Sequence, residues 1–125
     1  MLDQKVAGLL NEQVNKEFYS AYLYLDFSNF YKSRSLDGYA NWYEIQAREE
    51  MGHAMMMIRY LQDNDHEVVL EAIDKPQCKL ESPEDPLHAG LEHERYLTKL
   101  IPTIFDAAQD LRDFHTMRFV DWSVG

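Results

Sequence analysis

Apolar residues recur every three or four positions along the first part of this chain, which is the spacing of one face of an α-helix. The pattern predicts a first helix from about Asp3 to Tyr31. Its apolar stripe consists of Val6, Leu9, Leu10, Val14, Phe18, Ala21 and Leu25. The residues that follow, Lys32 to Ser35, are predicted to be a short link.

A second helix is predicted from about Leu36 to Asn64, with Ser35 as its N-cap. Its inward stripe is predicted to include Trp42, Ile45, Met56, Met57, Tyr60 and Leu61.

Residues 65–81 break the helical pattern, and Pro76 lies within them. A link of this length is expected to carry the chain from one end of a helix bundle to the other, because neighbouring antiparallel helices need far less. Ser82 and Pro83, followed by two acidic residues, then have the composition of a helix start.

The third helix is predicted from about Pro83 to Ala108, with a kink or local irregularity at Pro102. Its inward residues are predicted to be Leu87, Leu91, Leu97, Ile101 and Phe105. A fourth helix is predicted to begin near Asp110 to Asp113 and to stop after about three turns. Its period is given by Phe114, Met117, Val120, Asp121 and Val124. The predicted fold is therefore an all-α four-helix bundle with a long crossover between helices two and three and an incomplete fourth helix.

Two acidic residues, one on the first and one on the third predicted helix, lie where an apolar residue is expected. Glu17 follows Val14 by three positions, and Glu94 lies between Leu91 and Leu97. A buried carboxylate without a partner is costly, and a metal cation removes that cost. The alternative for Glu17 is a solvated position at the edge of its stripe.

The second helix adds Glu50 and His53, which are three residues apart and therefore share one helix face. Glu49 lies four residues from His53, so the spacing allows either glutamate as its partner, although the stripe places Glu50 nearer the interior. Tyr24, two turns beyond Glu17, is placed to hydrogen-bond into the same site. His93 is predicted to point elsewhere and to be exposed.

Oxygen ligands with one imidazole suit iron or manganese better than zinc. The composition agrees with cation binding, since 22 acidic and 12 basic residues give a net charge of −10. That charge disfavours nucleic acids and anionic membranes as partners. The single cysteine, Cys78, the lack of a secretory signal and the lack of a membrane-length apolar run predict a reducing, cytoplasmic location.

The order and spacing of these residues resemble those of bacterial non-haem ferritins along the whole chain. The resemblance is carried by Leu10-Asn11-Glu12-Gln13 with Glu17, by Tyr24, by Arg48-Glu49-Glu50-Met51-x-His53, by His93-Glu94 and by Phe119-x-x-Trp122. It implies a single ferritin-like domain over residues 1–125 that lacks the C-terminal part of the family fold, because the chain ends at Gly125.

The resemblance implies a di-iron site that oxidises Fe(II) with oxygen or peroxide. Glu17, Glu50 and His53 would hold one iron, and Glu50 would bridge to a second iron that Glu94 also binds. Tyr24 would lie beside the pair, and Glu49 would belong to a third site. The resemblance further implies storage of ferric mineral in a homo-oligomeric cage of 24 subunits.

Three alternatives remain at this stage. The chain could bind iron without efficient oxidation, because the ligands that the family supplies from the rest of the fourth helix lie beyond Gly125. It could be a haem-binding bacterioferritin with Met51 as the haem ligand, although no haem is expected. It could also be a structural bundle without metal, which the alignment of Glu17, Glu50, His53 and Glu94 disfavours.

Overall fold

The computed structural model describes the backbone of residues 2–124 and the side chains of residues 2–122. It contains four helices and, within those residues, no strand. The helices are α1 (Gln4–Ser33), α2 (Asp37–Asp63), α3 (Glu84–Asp110) and α4 (Phe114–Val124). The predicted all-α fold and the long crossover between the second and third helices are confirmed. The predicted roles of the Val124 side chain and of Gly125 lie outside the described residues.

The crossover, residues 64–83, runs along α1 and is held there by two asparagines. Asn11 exchanges two hydrogen bonds with the backbone of Val69, at 2.9 and 3.0 Å. Asn15 accepts from the backbone N–H of Glu71 at 2.8 Å. These side-chain amides bond to backbone groups of the extended segment and hold it against α1.

The helix starts differ from the prediction in their caps. Ser35 is not the N-cap of α2; it lies in the left-handed region at φ 59°, and Leu36 occupies the cap without a side-chain bond. At the start of α3, Pro83 occupies the cap position and the Ser82 side chain makes no capping hydrogen bond. Instead, the Asp85 carboxylate accepts from the backbone N–H groups of Glu81 and Ser82, both at 2.8 Å, and these bonds lower the pKa of Asp85.

The core forms two clusters along the α1–α2 pair. One lies around Leu10, Val14 and Leu61, and α3 and α4 contribute Ile104 and Val120 to it. The other, nearer the α1–α2 link, is aromatic and consists of Ala21, Leu23, Tyr24, Phe27, Phe30, Tyr31, Ala40, Tyr43 and Ala47. Glu17 lies on α1 between the two clusters, since Val14 belongs to the first and Ala21 to the second.

α4 packs on the C-terminal half of α2 through Tyr60. The Tyr60 ring stacks on Phe119 with centroids 4.0 Å apart, and its hydroxyl lies 2.8 Å from the Thr116 hydroxyl. Val120 is buried beside them, as predicted, whereas Phe114 is exposed. α4 therefore covers one end of the groove between α2 and α3.

Several predicted inward residues point to solvent. Trp42 and Ile45 on α2 are 54% and 45% exposed, and Leu91 on α3 is 51% exposed. Leu87 and Leu25 are also exposed. The true inward stripe of α2 is Ala40, Tyr43, Ala47, Glu50, Ala54, Met57, Tyr60 and Leu61. Trp42, Leu87 and Leu91 line an open groove between α2 and α3, beyond the reach of α4.

Within the described residues, no helix is both long and apolar enough to cross a membrane.

Candidate metal centre

Glu17 is buried in the middle of α1, with only 5% of its surface exposed. The alternative of a solvated edge position is therefore wrong. One carboxylate oxygen accepts a hydrogen bond from Gln13 Nε2 at 2.9 Å, one helical turn earlier. The other oxygen, Oε2, finds no hydrogen-bonding partner among the described residues. A buried polar atom left without a partner calls for a missing ligand or proton.

α2 brings Glu50 and His53 to the same place. Glu50 is 7% exposed, and its Oε2 lies 3.7 Å from His53 Nδ1. Glu49, the other partner that the spacing allowed, is exposed. The structure therefore selects Glu50 as the carboxylate that faces the interior, because positions 47, 50, 54 and 57 share the buried stripe of α2.

Together, Glu17, Glu50 and His53 form a cluster in which one ligand atom from each residue lies within 4.8 Å of the others. The cluster opens into a cavity of ≈ 180 Å³. The cavity is lined by Gln13, Glu17, Glu50, His53, Met57, Glu94, Leu97, Thr98 and Ile101. Two carboxylates and an imidazole at this separation can converge on one cation.

Without a cation, the two buried carboxylates of the cluster repel each other, and their pKa values are shifted. Burial first, and then the neighbouring Glu50 carboxylate, raise the pKa of Glu17 from 4.5 to about 9. Burial would also raise the pKa of Glu50, but its contacts with His53 and Glu17 hold it below the ordinary value. The contact with Glu50 raises the pKa of His53, against the opposing effect of burial. Without metal, the site therefore retains protons that a divalent cation would displace.

Glu94 reaches the cavity from α3 but lies outside the three-residue cluster. The hydroxyl of Tyr24, which is buried, donates a hydrogen bond to Glu94 Oε1. Burial first, and then that carboxylate, raise the pKa of Tyr24. Glu94 is exposed by its total surface, so it does not belong to the buried stripe of α3 as its position between Leu91 and Leu97 predicted. Its carboxylate nevertheless lines the cavity with Glu17 and Glu50.

A close contact between α3 and the α1–α2 pair at Gly90 brings α3 near enough for Glu94 to reach the cavity. A Cβ added at Gly90, one turn before Glu94, would lie 3.1 Å from the Tyr43 hydroxyl and 3.6 Å from the Phe27 ring. Glycine therefore lets the α3 backbone approach the aromatic cluster of α1 and α2 closely.

The prediction that His93 is exposed was wrong. His93 is half-buried, and its Nε2 lies 2.7 Å from the hydroxyl of Ser20 on α1. Gln13 and Ser20 were not predicted as residues of the site. Both are polar residues on the inward face of α1, near Glu17, and that position was the available signal.

The chain is similar to known proteins over nearly its whole length. The family described as Ferritin-like domain matches residues 7–125. A bacterial non-heme ferritin of Campylobacter jejuni is 38% identical over 124 residues, which cover 99% of this chain and 74% of that protein. A bacterial non-heme ferritin of Staphylococcus saprophyticus is 32% identical, covering 98% of this chain and 73% of the relative.

Solved structures agree with the sequence comparison. An open-pore ferritin from the archaeon Archaeoglobus fulgidus superposes with a TM-score of 0.94 at 35% identity, covering 99% of this chain and 76% of that one. A ferritin of Chlorobium tepidum has a TM-score of 0.94 at 31% identity, with the same coverage of both chains. With its four-helix fold and long crossover, the chain belongs to the ferritin family.

Proposed function

We propose that this protein binds Fe(II) between Glu17, Glu50 and His53 and oxidises it as the first step of iron storage. The observation that carries the proposal is the cluster of Glu17, Glu50 and His53, in which one ligand atom of each residue lies within 4.8 Å of the others. The buried Glu17 Oε2, which has no hydrogen-bonding partner among the described residues, supports it. Membership of the ferritin family and the similarity to proteins named non-heme ferritins support the same function.

The first Fe(II) is proposed to bind at the three-residue cluster. Two carboxylates offset the charge of a divalent cation, and the imidazole adds a neutral ligand. Oxygen-rich sites with one nitrogen ligand suit iron. Binding would also relieve the desolvation cost of ionising Glu17, because the cation would take the place of its proton.

A second Fe(II) is proposed to bind between Glu50 and Glu94, with Glu50 bridging the two ions. Both carboxylates line the same cavity, and Tyr24 holds Glu94 by a hydrogen bond. Two Fe(II) supply the two electrons that reduce one peroxide molecule, with two protons, to two water molecules. Oxygen is the alternative oxidant, and it would be reduced to peroxide by the same two electrons. Glu49 is proposed to belong to a third, more exposed iron site.

Assembly into a homo-oligomeric cage is the second part of the proposal, with 24 subunits as the family number. Large apolar residues that remain exposed on α1 and on the crossover support an interface between copies of the chain. They are Tyr22, Leu25, Val69 and Leu70. Exposed apolar surface of this kind favours association.

A second candidate is iron binding without efficient oxidation. It is favoured by the position of Glu94, which lies outside the cluster, and by the exposure of Glu49. The described residues then offer one compact set of three ligands, Glu17, Glu50 and His53, and an incomplete second set at Glu94. In this case, Fe(II) would bind at Glu17, Glu50 and His53 but react no faster than free Fe(II).

An oxidation assay separates the two candidates. Anaerobic protein loaded with Fe(II) is mixed rapidly with peroxide or oxygen, and the ferric absorbance is followed. We expect the His53→Ala variant to oxidise Fe(II) roughly 10-fold or more slowly than the parent, because loss of a proposed ligand should cost at least as much as loss of a ligand's outer hydrogen-bonding partner. His88→Ala, which removes an exposed histidine of α3, is the matched control and is expected to keep the parent rate.

The remaining outcomes decide between the candidates. Anaerobic binding of Fe(II) without faster oxidation would favour the binding-only candidate. An absence of Fe(II) binding to the parent would contradict both.

A further inference from the structure

We propose that the hydrogen bond between His93 and Ser20 is a positioning contact that sets the place of Glu94 at the iron centre. His93 lies outside the cluster of Glu17, Glu50 and His53. It acts through Glu94, its neighbour in sequence, and through the ring of Tyr24, which it contacts edge-on. Only the expected effect on metal binding rests on the proposed function. The structural part of the inference, the control of the Tyr24–Glu94 contact, is independent of that function.

His93 is built into a polar and aromatic recess on α1. Its Nε2 lies 2.7 Å from the hydroxyl of Ser20, a residue with no exposed surface. The same hydroxyl lies 2.9 Å from the carbonyl oxygen of Lys16, which can only accept. Both contacts are satisfied when the hydroxyl donates to Lys16 and His93 Nε2–H donates to the hydroxyl, which is the tautomer that the inference uses. The His93 ring also meets two tyrosines of α1 edge-on, with centroids 5.7 Å from Tyr19 and 6.0 Å from Tyr24.

Glu94 has little else to hold it. Its carboxylate is bonded to the Tyr24 hydroxyl, and the residue is otherwise exposed. Its direction therefore depends on how α3 is rotated and shifted along α1. A rotation of α3 moves the side chains at positions 93 and 94 together, since neighbouring helical residues are separated by a fixed angle of about 100°.

The hydrogen bonds between α1 and α3 are few in the described part of the chain. Tyr31 bonds to the carbonyl oxygen of Pro83 just before α3 starts, ten residues before His93. Ser20–His93 and Tyr24–Glu94 are the side-chain bonds at the level of the iron centre. The Ser20–His93 bond joins a fully buried residue to a half-buried one, whereas the Tyr24–Glu94 bond ends on a residue that is exposed. We infer that the first bond fixes α3 and that the second follows from it.

The test uses His93→Phe, Ser20→Ala and the double variant, with His93→Gln as the conservative variant. Phenylalanine keeps the ring between Tyr19 and Tyr24 but removes the donor, and glutamine keeps an N–H group that can reach Ser20. The first readout is the ¹³Cζ NMR signal of Tyr24 in metal-free protein. Tyr24→Phe assigns that signal, and Glu94→Gln reports its position when the carboxylate partner is removed. Tyr39, exposed on α2, is the internal control.

We expect the Tyr24 signal to move toward the Glu94→Gln position in His93→Phe and in Ser20→Ala. The signal should return to the parent position in His93→Gln. In the double variant, it should shift no further than in either single variant. The Tyr39 signal should stay constant. A parent-like Tyr24 signal in His93→Phe would overturn the inference, and so would a His93→Gln variant that behaves like His93→Phe.

The second readout is a titration with Zn(II) as the probe ion. Where the parent takes up two ions, we expect the second to bind roughly 10-fold more weakly to His93→Phe, by the scale of outer ligand partners. The first ion should be unaffected. Equal weakening of both ions would mean a structural role and would overturn the inference. A parent that binds no Zn(II) at Glu17, Glu50 and His53 would contradict the proposed function, while the NMR comparison would still decide the inference.

Discussion

The Glu17→Gln variant is expected to be more stable than the parent at pH 8 in the absence of metal. The pKa of Glu17 is raised from 4.5 to about 9 in the folded protein, chiefly by burial. Between these values the folded state holds a proton that the unfolded state has released. The stability associated with that proton is complete below pH 4.5 and is lost as the pH rises toward 9, by about 1.4 kcal/mol per pH unit at most.

Glutamine removes this loss because it stays neutral at every pH. It also keeps an oxygen for Gln13 and places an amide beside Glu50. We expect a gain of about 2 kcal/mol or more in the free energy of unfolding at pH 8, and a much smaller gain at pH 5. Urea unfolding in the presence of a chelator measures both values.

The matched control is Glu12→Gln, which removes an exposed carboxylate from the same helix. Addition of a divalent cation should then reverse the order of stability, because a bound ion stabilises only the chain that binds it. Parallel pH profiles for the parent and Glu17→Gln would show that Glu17 is not the group that holds the proton.

The Glu50→Ala variant is expected to lose far more metal affinity than Glu94→Ala. Glu50 belongs to the three-residue cluster and lines the cavity beside Glu94, so its removal affects both proposed ions. We expect the first Zn(II) to bind at least roughly 100-fold more weakly to Glu50→Ala, a loss at or above the upper end of the scale for outer partners. For Glu94→Ala, the first ion should keep its affinity.

Calorimetric titration of the two variants and the parent, at one pH and one ionic strength, gives the comparison. Glu49→Ala is the matched control, since it removes the adjacent but exposed carboxylate. Equal losses in Glu50→Ala and Glu94→Ala would contradict the bridging role of Glu50.

Periodicity predicted the helices well because each one buries a long stripe. The predicted bounds of α1, Asp3 to Tyr31, differ from the observed Gln4–Ser33 by only one or two residues. The length of the crossover was equally informative. The helix bounds and the crossover could both be predicted without knowing which helices pack against each other.

The faces of α2 and α3 were predicted less well. The buried stripe of α2 contains Ala40, Ala47 and Ala54, which give a weak apolar signal, while Trp42 and Ile45 give a strong one. Side-chain size therefore outweighed spacing in the prediction. On α3, Leu87 and Leu91 lie along the groove that α4 does not reach in the described structure.

The cluster of Glu17, Glu50 and His53 was predictable where it depended on one helix at a time. Glu17 and the Glu50–His53 pair followed from spacing, and their convergence followed from the bundle. His93 was not predictable in this way, because its partner Ser20 lies on another helix 73 positions away. Glu94 was ambiguous for the same reason, since Tyr24 on α1 fixes its carboxylate.

The most direct test of the proposed iron centre is a crystal structure of the protein soaked in Fe(II) under anaerobic conditions, or in Zn(II). Anomalous scattering at the metal edge locates the ions without reference to the expected ligands. The proposal predicts the strongest peak between Glu17, Glu50 and His53, at about 2.0–2.2 Å from their ligand atoms for zinc. Strong peaks elsewhere, with none between these three side chains, would contradict it.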